Sequence, residues 1–301
     1  MKIGAKWACW LMMGVVVEAG PVHIWPAKPF NGAPLLIEVE GVAAPQARFL
    51  DRPLFFALDP KTKRWTALAG IPLDTKPGRY PLAISTGAES LKEEVVVQAR
   101  AYRESIVTVA PRFLEPPEEE TKRIEAEREF KKAIFAVRSE RRWALPFRSP
   151  TGSVETSPFG VRRTYNGKTQ SVHQGLDFRA AVGTPIRAVA AGKVVIARPM
   201  YFEGGLVAID HGEGFFTLYM HLSEFVAKEG DLVTVGQVVA KSGSTGRSAA
   251  PHLHLGVQWQ NINLEPSTLL SLGKTPAPPT AGKGGRGVSR KRGKSVRPAS
   301  P

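Results

Sequence analysis

His252-Leu253-His254-Leu255-Gly256-Val257 alternates polar and apolar residues without a break. That period of two is the mark of a strand with one face buried. Leu253, Leu255 and Val257 are therefore assigned to a core, and His252 and His254 share the open face. Working upstream, residues 217–221 repeat the pattern, ending in His221 with Leu218 and Met220 predicted on the opposite side. Further upstream, His173-Gln174-Gly175-Leu176-Asp177 sets an imidazole and a carboxylate four residues apart. One helical turn or four positions of a strand would aim both the same way, and Gly175 between them leaves room. Strands punctuated by glycine are predicted at 186–197, 205–210, 215–222, 232–240 and 252–258, which makes residues 147–272 a β domain of short strands.

Five of the six histidines lie in this β domain, and four of them, His173, His221, His252 and His254, are grouped with one well-placed acid. Imidazole and carboxylate suit Zn²⁺ at about 2.0–2.2 Å. Two His and one Asp leave a position for water, the arrangement of catalytic rather than structural zinc, and zinc lowers the pKa of that water to about 7. A remaining His titrates in the range a general base needs. His211, in Asp210-His211-Gly212, reads as a turn marker, and His23 as surface.

At these residues the sequence resembles the lysostaphin-type, or LytM-like, zinc metallopeptidases that cut peptidoglycan peptides. The resemblance runs over about residues 147–266. It includes Ser157-Pro158-Phe159-Gly160-Val161-Arg162-Arg163, Asn166-Gly167, His173-x-Gly175-x-Asp177-Phe178, Ala190-Ala191-Gly192, Tyr219-x-His221-Leu222, Gly243-Ser244-Thr245-Gly246 and Pro251-His252-Leu253-His254. It implies a duplicated-hybrid-motif-like antiparallel β domain with the metal at the floor of a groove. The segments 162–170, 199–204 and 242–250 are the predicted walls. By position it implies His173, Asp177 and His254 as zinc ligands, with His221 and His252 as catalytic histidines that activate the water and stabilise the oxyanion while a zinc-bound hydroxide attacks the scissile carbonyl. Asn166 and Tyr201 are candidate substrate contacts on the walls. All five metal and catalytic positions hold the required residue, which counts against the alternative of a non-catalytic envelope regulator or wall-binding module that activates another hydrolase.

The rest of the chain is read from composition. Among 301 residues the formal charge is +14, with a single Cys. One Cys excludes a disulfide framework and cysteine-rich zinc modules. Lys2 and Lys6 precede an 11-residue apolar run, Trp7 to Val17, ending near Val17-Glu18-Ala19. This predicts a signal peptide over 1–19, too short to span a bilayer, which takes about 20 apolar residues. The expected location is secreted, periplasmic or envelope-associated, with no integral membrane span after its removal. From Gly273 to Pro301 there are eight Lys/Arg and no acid, so the tail holds +8 and residues 20–272 keep about +5. Rich in Pro, Gly and Ser, it is expected to be disordered and to adhere to anionic envelope polymers. A nucleic-acid partner is not expected, because the signal sends the chain away from it and aromatics are not interleaved with the basic run. Residues 20–110 read as a small Ig-like β-sandwich, with breakers at Asn31-Gly32, Asp59-Pro60 and Lys76-Pro77-Gly78. Residues 111–146 read as a charged helical linker whose Phe130, Ile134 and Val137 recur at helical spacing. Ser242-Gly243-Ser244-Thr245-Gly246 fits neither a phosphate loop nor a serine-hydrolase elbow.

Overall fold

The computed structural model describes residues 22–274 apart from Val42 and Ala88. The predicted signal segment, and all but the first two positions of the predicted tail, lie outside these residues.

Eight strands come first: β1 Val22–Trp25, β2 Pro34–Glu40, β3 Gln46–Phe49, β4 Arg52–Leu54, β5 Ala57–Leu58, β6 Arg64–Gly70, β7 Gly78–Thr86 and β8 Glu89–Val97. They form two four-stranded antiparallel sheets, ordered β1-β2-β6-β5 and β4-β3-β7-β8, the expected sandwich. Leu35, Ile37, Leu82 and Ile84 are fully buried in its core. Phe55-Phe56 separates β4 from β5, so the apolar run 54–58 divides between the two sheets instead of making one strand.

The chain then leaves the sandwich. Strand β9 (Glu104–Val107) pairs in parallel with β11 (Arg162–Tyr165), which also pairs with β12 (Thr169–Val172). Residues 104–107, expected in the first domain, therefore belong to a wall of the second. Helix α1 spans Glu118–Phe135, with three acids in its first turn, where the N-terminal dipole favours them. Phe130 and Ile134 pack on a cluster of Ile196, Met200, Leu206 and Phe216. Val137 does not join them: the helix ends at Phe135, where Arg138 donates to the freed Phe135 carbonyl, and Val137 stays exposed.

The remaining strands are β10 Glu155–Ser157, β13 Gly175–Arg179, β14 Pro185–Arg187, β15 Gly192–Met200, β16 Gly204–Gly212, β17 Phe215–Phe225, β18 Leu232–Val233, β19 Val238–Ser242, β20 His252–Trp259 and β21 Ile262–Asn263, followed by α2 Pro266–Ser271. One ten-stranded sheet runs β10-β13-β20-β17-β16-β15-β18, with β14, β19 and β21 attached at its margins. Every pairing within it is antiparallel; short turns join β15 to β16, β16 to β17 and β20 to β21, whereas β13 and β20 come together from distant parts of the chain. Leu176, Leu253, Leu255, Val257 and Tyr219 fill its core face.

The two domains share one apolar cluster. At their junction Gly70 lies so close to Leu264 that an added Cβ would come within 2.7 Å of its methyl. Arg141 is one polar fastener, beside hydrogen bonds from Gln260 Nε2 to the Pro53 carbonyl and from the Glu265 N–H to the Gly32 carbonyl. Its guanidinium pairs with Glu213 at 2.9 Å and donates to the Phe55 and Thr66 carbonyls of the sandwich. Both charges are largely buried, so each needs the other to offset its lost hydration.

Candidate active site

Strand β20 pairs with β13 so that Asp177 lies opposite His254. Cross-strand partners present side chains to the same face, so imidazole and carboxylate meet. His173 reaches them from the segment just before β13. Its Nδ1–H donates to the Pro158 carbonyl at 2.8 Å, a tautomer assigned from that contact, which leaves Nε2 bare. Nε2 lies 3.0 Å from Asp177 Oδ1 and 3.0 Å from His254 Nδ1, and the last two atoms are 2.9 Å apart. Gly175 is indispensable here. A Cβ at that position would stand 2.3 Å from His254 Nε2 and 2.5 Å from the Leu255 carbonyl.

The other Asp177 oxygen, Oδ2, accepts from Arg163 Nη2 at 2.6 Å, and Arg163 also reaches Ser157 Oγ. Burial alone would raise the Asp177 pKa, but hydrogen bonds and charge interactions with His173 and His254 outweigh it and hold the carboxyl far below the usual range. Burial lowers the pKa of His254. Two imidazole nitrogens and an ionised oxygen thus converge on one point, and one of those nitrogens has no proton to offer. Among the described residues this is a group able to hold a metal ion. Its donor set, nitrogen and oxygen without sulfur, fits zinc.

His252 and His221 flank the triangle. The Nδ1–H of His252 donates to the Ala250 carbonyl at 2.7 Å, and its Nε2 lies 3.8 Å from Asp177 Oδ1. His221 donates through Nδ1 to the Thr245 carbonyl at 2.8 Å, and its ring centroid is 4.7 Å from that of His252. Burial, then the neighbouring His254 and His252, push the His221 pKa down to about 3, so it is neutral at pH 7. Its side chain does not lie where strict alternation predicts. Met220 opposes His254 across the strands and Leu218 opposes Gly256, which would turn His221 to the core face with Tyr219. A left-handed backbone at His221, φ +65°, breaks the alternation and brings it into the cavity that Leu218 and Met220 also line. The expected separation of His221 from Leu218 and Met220 is corrected accordingly.

The groove has two cavities, of about 330 Å³ on the α1 side and about 470 Å³ on the β9 side. Arg163, Tyr165, His221 and Arg247 line both. Arg247 stacks over Tyr165 at 4.9 Å and Phe202 at 5.2 Å, so the three predicted wall loops meet around one guanidinium. The wall candidates have structural partners. Asn166 adopts a left-handed turn conformation, accepts from the Val109 N–H and donates to the Val109 carbonyl, which pins the chain beyond β9. Tyr201 donates to the Arg112 carbonyl and packs against Phe113 and Phe202. His211 is buried in the core, bonded to the Ala191 carbonyl and the Thr217 hydroxyl.

Sequence reasoning missed Arg163 as the partner of Asp177, and Lys131 and Phe135 as lining from α1. Nothing in their spacing marks them, since each meets the site through a long-range contact.

The model of peptidase family M23 matches residues 171–266. The chain is 36% identical over 107 residues to the peptidoglycan DD-endopeptidase ShyB of Vibrio cholerae, across 35% of this chain and 25% of that protein. It is 42% identical over 90 residues to lysostaphin of Staphylococcus staphylolyticus, across 29% of this chain and 19% of that one. The chain therefore spans about a quarter or less of the length of these curated relatives. The likeness to a crystal structure assigned to peptidase M23 from Pseudomonas aeruginosa is far more extensive: TM-score 0.64 and 31% identity, covering 81% of this chain and 95% of that one. On a likeness of that extent, this chain belongs to peptidase family M23.

Proposed function

We propose that this chain is a zinc metalloendopeptidase that acts outside the cytoplasm and hydrolyses peptide bonds in peptidoglycan stems or cross-bridges. The observation that carries the reading is the convergence of His173 Nε2, Asp177 Oδ1 and His254 Nδ1 beside two further imidazoles on the floor of a groove. His173, Asp177 and His254 would hold the ion, and Arg163 keeps the second Asp177 oxygen turned away from it. Zinc bound there supplies Lewis acidity and lowers the pKa of a coordinated water to about 7.

His252 and His221 each have Nδ1 tied to a backbone carbonyl, which leaves Nε2 as a proton acceptor. His252 is nearer Asp177 and takes the proton from the attacking water. Kept neutral by burial, His221 orients that water before attack. Once the pair has gained a proton, its N–H faces the carbonyl oxygen on which charge develops, and the same proton passes to the departing amine. The two carbonyl tethers fix both rings, so little reorientation accompanies the step.

The named activities of the M23 relatives and the predicted signal segment support a wall substrate reached after export. No helix of the described residues is long and apolar enough to cross a membrane. The basic tail, on this reading, retains the enzyme on anionic envelope polymers, and deleting 273–301 should weaken retention at low salt. The deciding experiment digests purified sacculi with wild type, Asp177→Ala and His254→Ala, with metal content measured in parallel. Both variants should lose zinc and release no muropeptides. Release by either of them with zinc excluded refutes the mechanism.

A further inference from the structure

We infer that Arg247 is the anchor for a carboxylate carried by the substrate peptide, an inference that rests on the peptidase reading above. Its guanidinium carbon stands over the rings of Tyr165, at 4.9 Å, and Phe202, at 5.2 Å. Its backbone N–H donates to the Phe202 carbonyl at 2.8 Å, which ties the 242–250 wall to the 199–204 wall. Two residues earlier in the chain, the Thr245 carbonyl holds the His221 ring. Arg247 is thereby fixed near His221, and both residues line the cavities on either side of the groove.

What this guanidinium lacks is an acid. The two carboxylates that line the cavities are already taken, Glu203 by Lys131 and Asp177 by Arg163. Among the described residues, no group accepts a hydrogen bond from the Arg247 side chain, whose polar contacts are the two ring faces. Contact with ring faces leaves the N–H donors at the rim of the guanidinium free. Arg179 adds a second unpaired cation to the β9-side lining, so the free charge of the groove is positive. Closing the walls needs only the ring contacts and the backbone bond. The unused part of Arg247 is a planar, permanently charged fork, which matches a carboxylate through two parallel hydrogen bonds. A half-buried guanidinium has also lost part of its hydration, and an anionic ligand replaces it. A peptide brings such a group either as a side carboxylate within the chain or as its C-terminus.

Three probes test this: the tetrapeptide Ala-γ-D-Glu-Lys-D-Ala, the same peptide with the D-Glu α-carboxylate made an amide, and the same peptide with its C-terminus made an amide. Titrated calorimetrically into the zinc-loaded protein, one of the amides should bind at least about tenfold more weakly than the parent, the ratio expected for a lost charge-assisted contact. Arg247→Met should abolish that difference. Arg247→Lys should narrow it, because an ammonium keeps the charge without the fork. The amide whose effect disappears identifies the carboxylate that Arg247 holds. Urea unfolding and zinc content check that both variants fold, and Arg247→Lys decides alone where Arg247→Met does not. Binding of no probe, equal binding of all three, or a difference unchanged in the variants overturns the assignment; the last result would put the carboxylate on zinc or another cation. Sacculus digestion by the same wild-type preparation is scored separately. Failure to digest sinks the peptidase reading, while the binding ratios alone decide the anchor.

Discussion

Replacing Gly175 by Ala tests whether the ligand triangle depends on close packing behind His254. The backbone here is not left-handed, so the added methyl is resisted by space alone. It would meet His254 Nε2 at 2.3 Å, His254 Cε1 at 2.6 Å and the Leu255 carbonyl at 2.5 Å. The carbonyl belongs to the β13–β20 ladder and cannot retreat without breaking it, so the imidazole must move. Overpacking of this kind costs about 1–3 kcal/mol of folding stability. Displacing a ring whose Nδ1 must stay within about 3 Å of two other donors should weaken zinc binding about 10–100-fold, as lost support for a ligand does. Gly167→Ala is the control. Gly167 has φ +73° and nothing within 4 Å of a Cβ, so it should lose only about 1–2 kcal/mol to backbone strain and keep its metal affinity. Urea unfolding of the metal-free proteins and competition against a chromophoric chelator measure the two effects. If Gly175→Ala binds zinc as wild type does, packing does not govern the position of His254, and the reasoning fails.

Arg163→Met should free Asp177 Oδ2 and weaken zinc by about 10–100-fold, with Arg163→Lys recovering part of it; unchanged affinity in chelator competition would remove the positioning role. Arg141→Met strands Glu213 and the sandwich carbonyls, and should cost about 3–5 kcal/mol in denaturant unfolding; a loss below about 1 kcal/mol would remove Arg141 as a fastener of the junction. His211 has its pKa pushed down to about 4 by burial, from 6.5. The unfolded chain binds that proton first, so this contribution is fully present above about pH 6.5 and lost as pH falls toward 4, by at most about 3 kcal/mol. His211→Gln should flatten that slope, and parallel pH profiles for variant and wild type would contradict the assignment.

The sequence pointed to His173, Asp177 and His254 as ligands through its resemblance to lysostaphin-type peptidases, and only part of their placement was legible as local pattern. A period of two put His252 and His254 on one face, whereas His173, which lies before β13, is aimed at Asp177 by its bond to the Pro158 carbonyl and not by strand or helix spacing. The sandwich and the helix were legible through breakers and periodicity. Two further things were decided only by tertiary structure. His221 enters the site through a left-handed residue that reverses its strand's alternation, a geometry stabilised by hydrogen bonds to the Glu203 and Thr245 carbonyls. The groove is completed by β9, α1 and Arg163, whose places follow from parallel pairing and packing between segments far apart in the chain. Periodicity reports which way a side chain faces on a regular strand. It holds no record of where the strand bends or what another segment brings against it.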